Sequence, residues 1–456
     1  MRQTPWIQSV TLPASDQALK QAVRIGPVPV SSIDEIPIEL AVEILQAALK
    51  VPYRASDQHV QIIRQVMGPV TAHAVLHYGS EEQFIRAAMG QVSLAPDPRI
   101  TVLTGQPGVG KSALLLAIAR LVHGADKIKL CAELPPFPIK PIIHLPIRSN
   151  ISKAEMYTLA ARQIGLDHEY EARSDANLRH LQLRLIQYGS CGILTDELQF
   201  VTRSSNANSQ VSVLITRLAD LGLPLTLTMN YSLVHKLKKR PPEERARVLS
   251  SPIVMLPDDG DDPDYRAYLD DLKVVMDGRL EIDPFKDSYE IVGLTGGLKR
   301  PLIRLISVAY KIARRDWNRH SERVVVHMDH LRRAYASLDY EEDRKLVEQC
   351  HRALLGLSNV PDEYVCPFEL PLQQAQAMKE RADKLRQQHL AKSELAAALG
   401  KSAVQIKSTT GATPSNSQAV IQLPSSVSPV PPPKSPKRRT SLRTAGDLLA
   451  GLRKQA

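Results

Sequence analysis

One eight-residue stretch, GQPGVGKS at Gly105–Ser112, constrains this chain more than any other feature of its sequence. It satisfies the pattern G-x-x-x-x-G-K-[ST], and it lies between a β-rich run, ITVLT, and a helical run, ALLLAIARL. Glycines let backbone N–H groups wrap around phosphate oxygens, and the N-terminus of the following helix adds a partial positive charge. A strand, a glycine-rich loop and a helix in this order predict a phosphate-binding loop.

The residue types in this loop predict how a nucleotide is held. Lys111 is expected to reach the β- and γ-phosphates, and Ser112 is expected to ligate Mg²⁺. We therefore predict ATP and Mg²⁺ as cofactors. The predicted nucleotide-binding residues of the loop are Gly105, Gln106, Pro107, Gly108, Val109, Gly110, Lys111, Ser112 and Ala113.

A second motif supplies carboxylates. GILTDEL, Gly192–Leu198, is an apolar strand that ends in two adjacent acids. Asp196 is expected to hold Mg²⁺, directly or through water, and Glu197 is expected to act as general base toward the attacking water. The second acid favours a hydrolase over a small-molecule kinase.

A polar residue at the end of the next strand is a candidate sensor of the γ-phosphate. The strand PLTLTMN ends at Asn230, which we predict to be the sensor, with Thr228 in reserve. The alternative for Asn230 is a cap on the helix that follows.

Basic residues at two later positions are candidates for contact with phosphate. Arg247, or its neighbour Arg245, precedes the last strand and would reach the ATP of a neighbouring subunit; the alternative is a solvated helix face. Arg300, or Lys299, opens a helix and would reach back to the phosphates of its own subunit.

Strand and helix patterns alternate from Arg99 to about Pro257, which predicts parallel strands joined by right-handed crossovers. The candidate strands are ITVLT, PIIHLPI, GILTD, PLTLTMN and PIVML. Residues 1–35 are Pro-rich and weakly patterned, which is typical of an extended arm. We predict an N-terminal arm and helical extension (1–95), an ATPase core (96–258), a helical lid (259–357), a helical, polar extension (358–400) and a disordered basic tail with a short terminal amphipathic helix (401–456).

The order of these motifs resembles that of the AAA+ ATPases, and within them the initiator-like branch. More narrowly, three segments look like the TnsC/TniB transposition regulators: ILTDELQFV, TLTMNYSLVHKLKKRPPEERARVLSSPIVMLPDD and LTGGLKRPLIRLISVAYKIA. The likeness covers about Pro96 to Leu338. It implies an α/β fold class: an AAA+ P-loop domain with a parallel five-stranded sheet flanked by helices, and a small C-terminal α-helical lid domain.

The resemblance also implies a function. Such proteins are ATP-dependent regulators of DNA transposition that oligomerise on target DNA as rings or helical filaments. They couple a target-selector protein to transposase subunits, and ATP hydrolysis controls assembly and disassembly. By position, the resemblance carries ATP roles onto Gly105, Gly110, Lys111, Ser112, Asp196, Glu197 and Asn230, and the arginine finger onto Arg247.

The charge of the chain is concentrated near its end. Of the net charge of +10, residues 401–456 carry +8, from nine Lys or Arg and one acid, so residues 1–400 carry only +2. Contact between the folded part and double-stranded DNA must therefore come from a local patch that grips phosphates without reading sequence. We prefer Arg148, Ser149 and Lys153, with a solvated surface as the alternative; the cluster KLKKR, 236–240, is a second candidate for DNA or for a subunit interface.

Two other functions are compatible with the same ATPase branch. A replication initiator or helicase loader usually adds a winged-helix or helix-turn-helix DNA-binding domain, and an oligomerising signalling or defence NTPase adds an effector domain or repeats; none is clear in the sequence. The four cysteines lack C-x-x-C pairing, which fits a reducing compartment. No signal peptide is evident, and no apolar run reaches the ~18–20 residues that cross a bilayer. We expect a cytoplasmic, non-membrane protein, bacterial if the family resemblance holds.

Overall fold

The alternating part of the chain folds into one parallel sheet. A computed structural model describes residues 4–91, 98–122, 138–147, 151–167, 175–196, 207–317 and 323–387, and all of these belong to one compact unit, Met1–Ser393. The strands are β1 Ile100–Gly105, β2 Ile142–Pro146, β3 Gly192–Asp196, β4 Leu225–Asn230 and β5 Ser251–Met255. They pair in parallel in the order β2-β3-β4-β1-β5. The predicted five-stranded parallel sheet is confirmed.

The strand order brings the predicted motifs to one edge of the sheet. β1, which leads into the glycine-rich loop, lies between β4 and β5, and β3 lies on the far side of β4. Gly105 at the end of β1 pairs in register with Asn230 on β4 and with Met255 on β5. In open parallel sheets, ligands bind outside the carboxyl ends of the strands. The loop, the end of β3 and the end of β4 therefore share the edge at which a ligand is expected.

Helices cover both faces of this sheet. The part of the chain that the sequence predicts as the ATPase core contains the helices α6 Lys111–Leu121, α7 Lys153–Gln163, α8 Asp175–Gln187, α9 Ala207–Ala219, α10 Tyr231–Lys238 and α11 Pro242–Val248. Successive strand residues point to opposite faces. Accordingly, Leu103 packs in one apolar cluster with α6, whereas Val102 packs in another with α7, α8, α9 and α10.

The N-terminal region is folded onto the rest of the unit. It contains α1 Pro5–Val10, α2 Asp16–Val23, α3 Ile38–Leu49, α4 Asp57–Tyr78 and α5 Glu81–Ala88. The expectation of an extended arm over residues 1–35 therefore fails where the chain is described, because α1 and α2 form there. Trp6 is 1% exposed, and its ring stacks on Phe84 with centroids 4.1 Å apart. A buried tryptophan anchors α1 far more firmly than the weak local pattern suggests.

A helical region follows the sheet, and we refer to it as the lid after its predicted role. Its elements are α12 Pro263–Val275, β6 Leu280–Glu281, α13 Ser288–Thr295, α14 Lys299–Asp316, β7 Val326–His327, α15 Met328–Ala336 and α16 Glu341–Leu354, with a 3₁₀ turn at Leu338–Tyr340. The short strands β6 and β7 pair in parallel. Between Pro301 and Tyr310 every residue of α14 except Arg304 is buried, which places this part of the helix inside the lid core.

The chain after the lid returns to the ATPase core. It forms a 3₁₀ turn at Asp362–Tyr364 and a further helix, α17, over residues 372–387. His235 Nε2 on α10 lies 3.0 Å from the carbonyl oxygen of Val365, and the Lys238 ammonium lies 4.6 Å from the centre of the Phe368 ring. Residues 388–456, which include the predicted tail, lie outside the described residues. No helix in the described part is long and apolar enough to cross a membrane.

Candidate nucleotide site

The glycine-rich loop has the backbone shape that phosphate binding requires. Gly108 and Gly110 have φ values of 83° and 114°, in the region that favours glycine. Gly110 is also the N-cap of α6, so the first free N–H groups of this helix open into the loop. Lys111 is the first residue of α6, and Ser112 and Ala113, next to it, are exposed to solvent.

The Lys111 ammonium lies folded onto the loop itself. It donates to the carbonyl oxygens of Gly105 at 2.9 Å and Gln106 at 3.1 Å, and the residue is only 8% exposed. Burial lowers the pKa of Lys111 to about 7; the nearby Asp196 opposes this shift and Arg300 adds to it. Uncompensated desolvation favours the neutral amine. A phosphate group would supply the negative charge that this ammonium lacks.

Asp196 lies at the end of β3, beside β4. It is 9% exposed, and the hydroxyl of Thr228 on β4 donates to its Oδ1. Asp196 and Thr228 thus form one hydrogen-bonded pair at the carboxyl edge. The sequence named Thr228 only as a reserve sensor, because this cross-strand bond depends on register, which a single sequence does not reveal.

Asn230 occupies the N-cap position of α10, yet its side chain makes no capping hydrogen bond. The alternative of a helix cap is therefore not what the structure shows. The residue is half-buried and pairs in register with Gly105, the first residue of the loop. The residue therefore lies next to the loop, at the edge that the strand order defines.

Two residues at the start of α14 take different positions. The backbone N–H of Arg300 donates to the carbonyl oxygen of Gly108 at 3.2 Å, which ties the lid to the loop. Lys299 instead pairs with Asp258, with an Nζ–Oδ2 distance of 2.9 Å, and its ammonium lies 3.8 Å from the centre of the Tyr268 ring. Arg300 is therefore the better placed of the two for phosphate.

Arg245 and Arg247 are exposed on α11, immediately before β5. Exposure is the condition for contact with a second subunit, and it is equally typical of an ordinary helix face. The Lys153 ammonium, at the start of α7, lies 5.7 Å from the centre of the Tyr157 ring. Glu197, Arg148 and Ser149 lie outside the described residues, so their predicted roles stay predictions.

His144 is a neighbour of the site that the sequence did not indicate. It lies on β2, which pairs with β3. Its Nε2 is buried and lacks a hydrogen-bond partner among the described residues. Burial lowers the pKa of His144, and Asp196 opposes this shift. A histidine in a strand carries no local motif, so only the pairing of β2 with β3 reveals its position.

Comparison with solved structures finds several to which this chain is similar in part. The chain is similar to the structure of Aeropyrum pernix ORC2 in its ADP form, with 14% identity, coverage of 61% of this chain and 71% of that chain, and a TM-score of 0.39. It is similar to A. pernix ORC1 in complex with DNA, with 15% identity, coverage of 69% and 83%, and a TM-score of 0.35. For Cdc6p from Pyrobaculum aerophilum the identity is 15%, the coverage 61% and 72%, and the TM-score 0.36.

The sequence itself gives a more local result. No curated protein matches the chain. Residues 96–237 match the family described as AAA domain, a stretch that runs from just before β1 to α10 and contains the glycine-rich loop, Asp196 and Asn230. This chain therefore contains an AAA-family ATPase domain.

Proposed function

We propose that this protein binds and hydrolyses ATP with Mg²⁺, and that its ATP-bound form assembles on duplex DNA as a regulator of DNA transposition. The observation that carries the first half is the meeting of four features at one edge of the sheet. These are the loop at Gly105–Ser112, the buried Asp196, the uncapped Asn230 and the lid residue Arg300.

The residues at this edge fit a nucleoside triphosphate and a divalent cation. The loop offers backbone N–H groups and the N-terminus of α6, and Lys111 would exchange its two carbonyl acceptors for phosphate oxygens. Ser112 and Asp196 are oxygen ligands of the kind that Mg²⁺ prefers. The bound cation would neutralise charge on the phosphates as the terminal phosphoryl group transfers to water.

The remaining residues would act on the attacking water and on the developing charge. Glu197, one residue beyond Asp196, would accept a proton from the water. Asn230 would hold that water or a γ-phosphate oxygen by hydrogen bonding. Arg300 would contact the phosphates from the lid. Arg247 of a neighbouring subunit would complete the charge compensation, which makes hydrolysis depend on a ring or filament of identical subunits.

The finer proposal, a role in transposition, rests on the segments that resemble the TnsC/TniB regulators. In this role the assembly would grip duplex DNA without sequence preference, through Arg148, Ser149 and Lys153, and would bridge a target-selector protein and transposase subunits. One structural observation favours it over a replication initiator. Residues 355–387, where an initiator would continue into a DNA-binding domain, return to α10 and to Gly296 at the end of α13.

Electron microscopy of the purified full-length chain with random-sequence duplex DNA tests the proposal. Rings or filaments should form on DNA with a non-hydrolysable ATP analogue, and not with ADP. Lys111→Ala is the control, because it should lose nucleotide binding and with it all nucleotide-dependent assembly. Particles that ignore DNA would contradict the proposal and favour a signalling NTPase. Assembly restricted to one DNA sequence would favour a replication initiator.

A further inference from the structure

A side chain from beyond the lid bridges the junction between the ATPase core and the lid. We call this junction, formed by Pro257 to Asp258 and Gly296 to Gly297, the hinge. Arg381, on α17, donates through Nη1 to the carbonyl oxygen of Pro257 at 2.9 Å and through Nη2 to that of Gly296 at 2.7 Å. Pro257 follows β5 closely and belongs to the core side, whereas Gly296 ends α13 and belongs to the lid. One guanidinium therefore holds a carbonyl from each side of the hinge.

The hinge is tightly packed around this side chain. The backbone N–H of Asp258 donates to the carbonyl oxygen of Gly297 at 2.9 Å. A Cβ placed on Gly297 would lie 2.1 Å from the carbonyl oxygen of Asp258 and 2.6 Å from Nη2 of Arg381, so only glycine fits. Burial lowers the pKa of Arg381, and the neighbouring Asp259 and Asp258 oppose that shift. The positive charge is thus held by two carbonyl oxygens and a pair of nearby acids.

The same hinge leads directly into the nucleotide site. From Gly296 the chain passes through Gly297 and Leu298 into α14, whose second residue, Arg300, donates its backbone N–H to Gly108 of the loop. A rotation at the hinge therefore displaces Arg300 from the phosphate loop. A packed hinge takes discrete arrangements. The loss of a contact there is therefore expected to move the lid to an open position, and not only to increase its mobility.

The helix that carries Arg381 also borders the loop on a second side. A cavity of about 440 Å³ lies between the core and α17. Gln106 of the loop and Tyr231, the residue after Asn230, line it from the core, and Met378 and Ala382 line it from α17. The position of α17 is therefore linked to the loop through the hinge and through this cavity.

We propose that Arg381 is a positioning residue for the nucleotide site. It sets the angle between core and lid that keeps Arg300 at the loop. The affinity for nucleotide therefore depends on whether α17 is packed against the hinge. An arginine suits this place because its planar fork can donate to two acceptors at once, which an ammonium cannot do in the same geometry. The proposal rests on the nucleotide site described under the proposed function.

Binding of Mg-ADP to the full-length protein, measured by calorimetry, tests this proposal. Arg381→Ala should raise the Kd at least ~10-fold, because it removes two charge-assisted hydrogen bonds that hold the closed lid. Arg381→Lys should give a smaller rise. Lys384→Ala is the matched control: Lys384 lies on the same helix and pairs with Asp261 at 2.5 Å, and its loss should change the Kd by less than ~2-fold.

A second readout separates positioning from a merely structural role. Because Arg381 is proposed to act through Arg300, Arg381→Ala should raise the Kd by less than ~2-fold in a protein that already carries Arg300→Ala. A lower melting temperature with an unchanged Kd, or the same rise in Kd with and without Arg300→Ala, would overturn the proposal. If Arg381→Ala does not fold, Arg381→Lys decides by the same two measurements. A wild-type protein that does not bind nucleotide would overturn the proposed function, and this inference with it.

Discussion

The affinity of this protein for nucleotide should fall steeply as the pH rises above 7. The reason is Lys111, whose ammonium is buried beside the carbonyl groups of the loop. This burial lowers the pKa of Lys111 to about 7 in the nucleotide-free protein. Above this pH the free protein holds a neutral amine, whereas phosphate oxygens in the complex favour the ammonium. Binding must then take up a proton, and the free energy of that uptake grows with pH.

The size of the effect follows from the pKa. If bound phosphate returns the pKa of Lys111 to ~10, the Kd should rise ~5-fold from pH 7 to pH 8 and ~50-fold from pH 7 to pH 9. Between pH 6 and pH 7 the Kd should change by less than ~2-fold, because the ammonium is already largely present. Proton uptake per bound nucleotide should be ~0.5 at pH 7 and ~0.9 at pH 8.

Calorimetry with Mg-ADP measures both quantities. Titrations at pH 6, 7, 8 and 9, each in two buffers with different ionisation enthalpies, give the Kd and the number of protons taken up. Lys111→Arg is the matched control, since a guanidinium stays charged over this range and its Kd should be flat whatever its absolute value. If the Kd of the wild-type protein did not change with pH, or if protons were released on binding, the argument that buried Lys111 takes up a proton with the nucleotide would be refuted.

Three further predictions concern the chemistry of the site. Glu197→Gln should bind ATP normally but hydrolyse it ~10²-fold more slowly in a phosphate-release assay, and should leave an over-stable assembly on DNA; normal turnover would exclude Glu197 as the base. In the wild type, the hydrolysis rate per subunit should rise with protein concentration as subunits assemble. Arg247→Ala should keep its nucleotide affinity but lose this rise, whereas the control Arg245→Ala should keep it. The reverse result would assign the arginine finger to Arg245. Thr228→Val should lower the free energy of unfolding by ~1–3 kcal/mol in urea denaturation, since the buried Asp196 loses a donor, and Thr228→Ser should restore it; equal stability of all three proteins would contradict the hydrogen bond.

The sheet and the loop were predictable because their signals are local. Each signal can be recognised within about a dozen residues: the loop as GQPGVGKS between a strand and a helix, and β3 as the apolar run GILTD. Their convergence at one edge follows from the general behaviour of parallel sheets. The sequence put Arg300 before Lys299 but left both open, because the two are adjacent. Their different contacts, Arg300 with Gly108 and Lys299 with Asp258, depend on the folded structure and have no local sequence signal.

Contacts between distant segments were beyond the reach of the sequence. Trp6 stacks on Phe84, and Arg381 holds Pro257 and Gly296. No sequence feature near these residues marks them as partners, because each contact depends on how the rest of the chain folds. The expectation of an extended arm failed for this reason, since a Pro-rich, weakly patterned stretch is judged by local pattern alone.

The N-terminal region divides its contacts between the two parts that the hinge joins, and this determines what can move. Ile33 and Leu45 are buried in the apolar cluster of the lid, whereas Trp6 is buried in the cluster of the ATPase core. Asp34 accepts from Arg279 of the lid at 2.8 Å, and both side chains are under 10% exposed. Breaking a buried ion pair leaves a charge without a partner in the protein interior, which strongly destabilises the fold. Lys20 of α2 and Arg24, its C-cap, also form ion pairs with Asp264 and Asp271 of α12 in the lid. A nucleotide-driven rotation at the Pro257–Gly296 hinge should therefore carry α3 with the lid and must strain or break these ion pairs at α2.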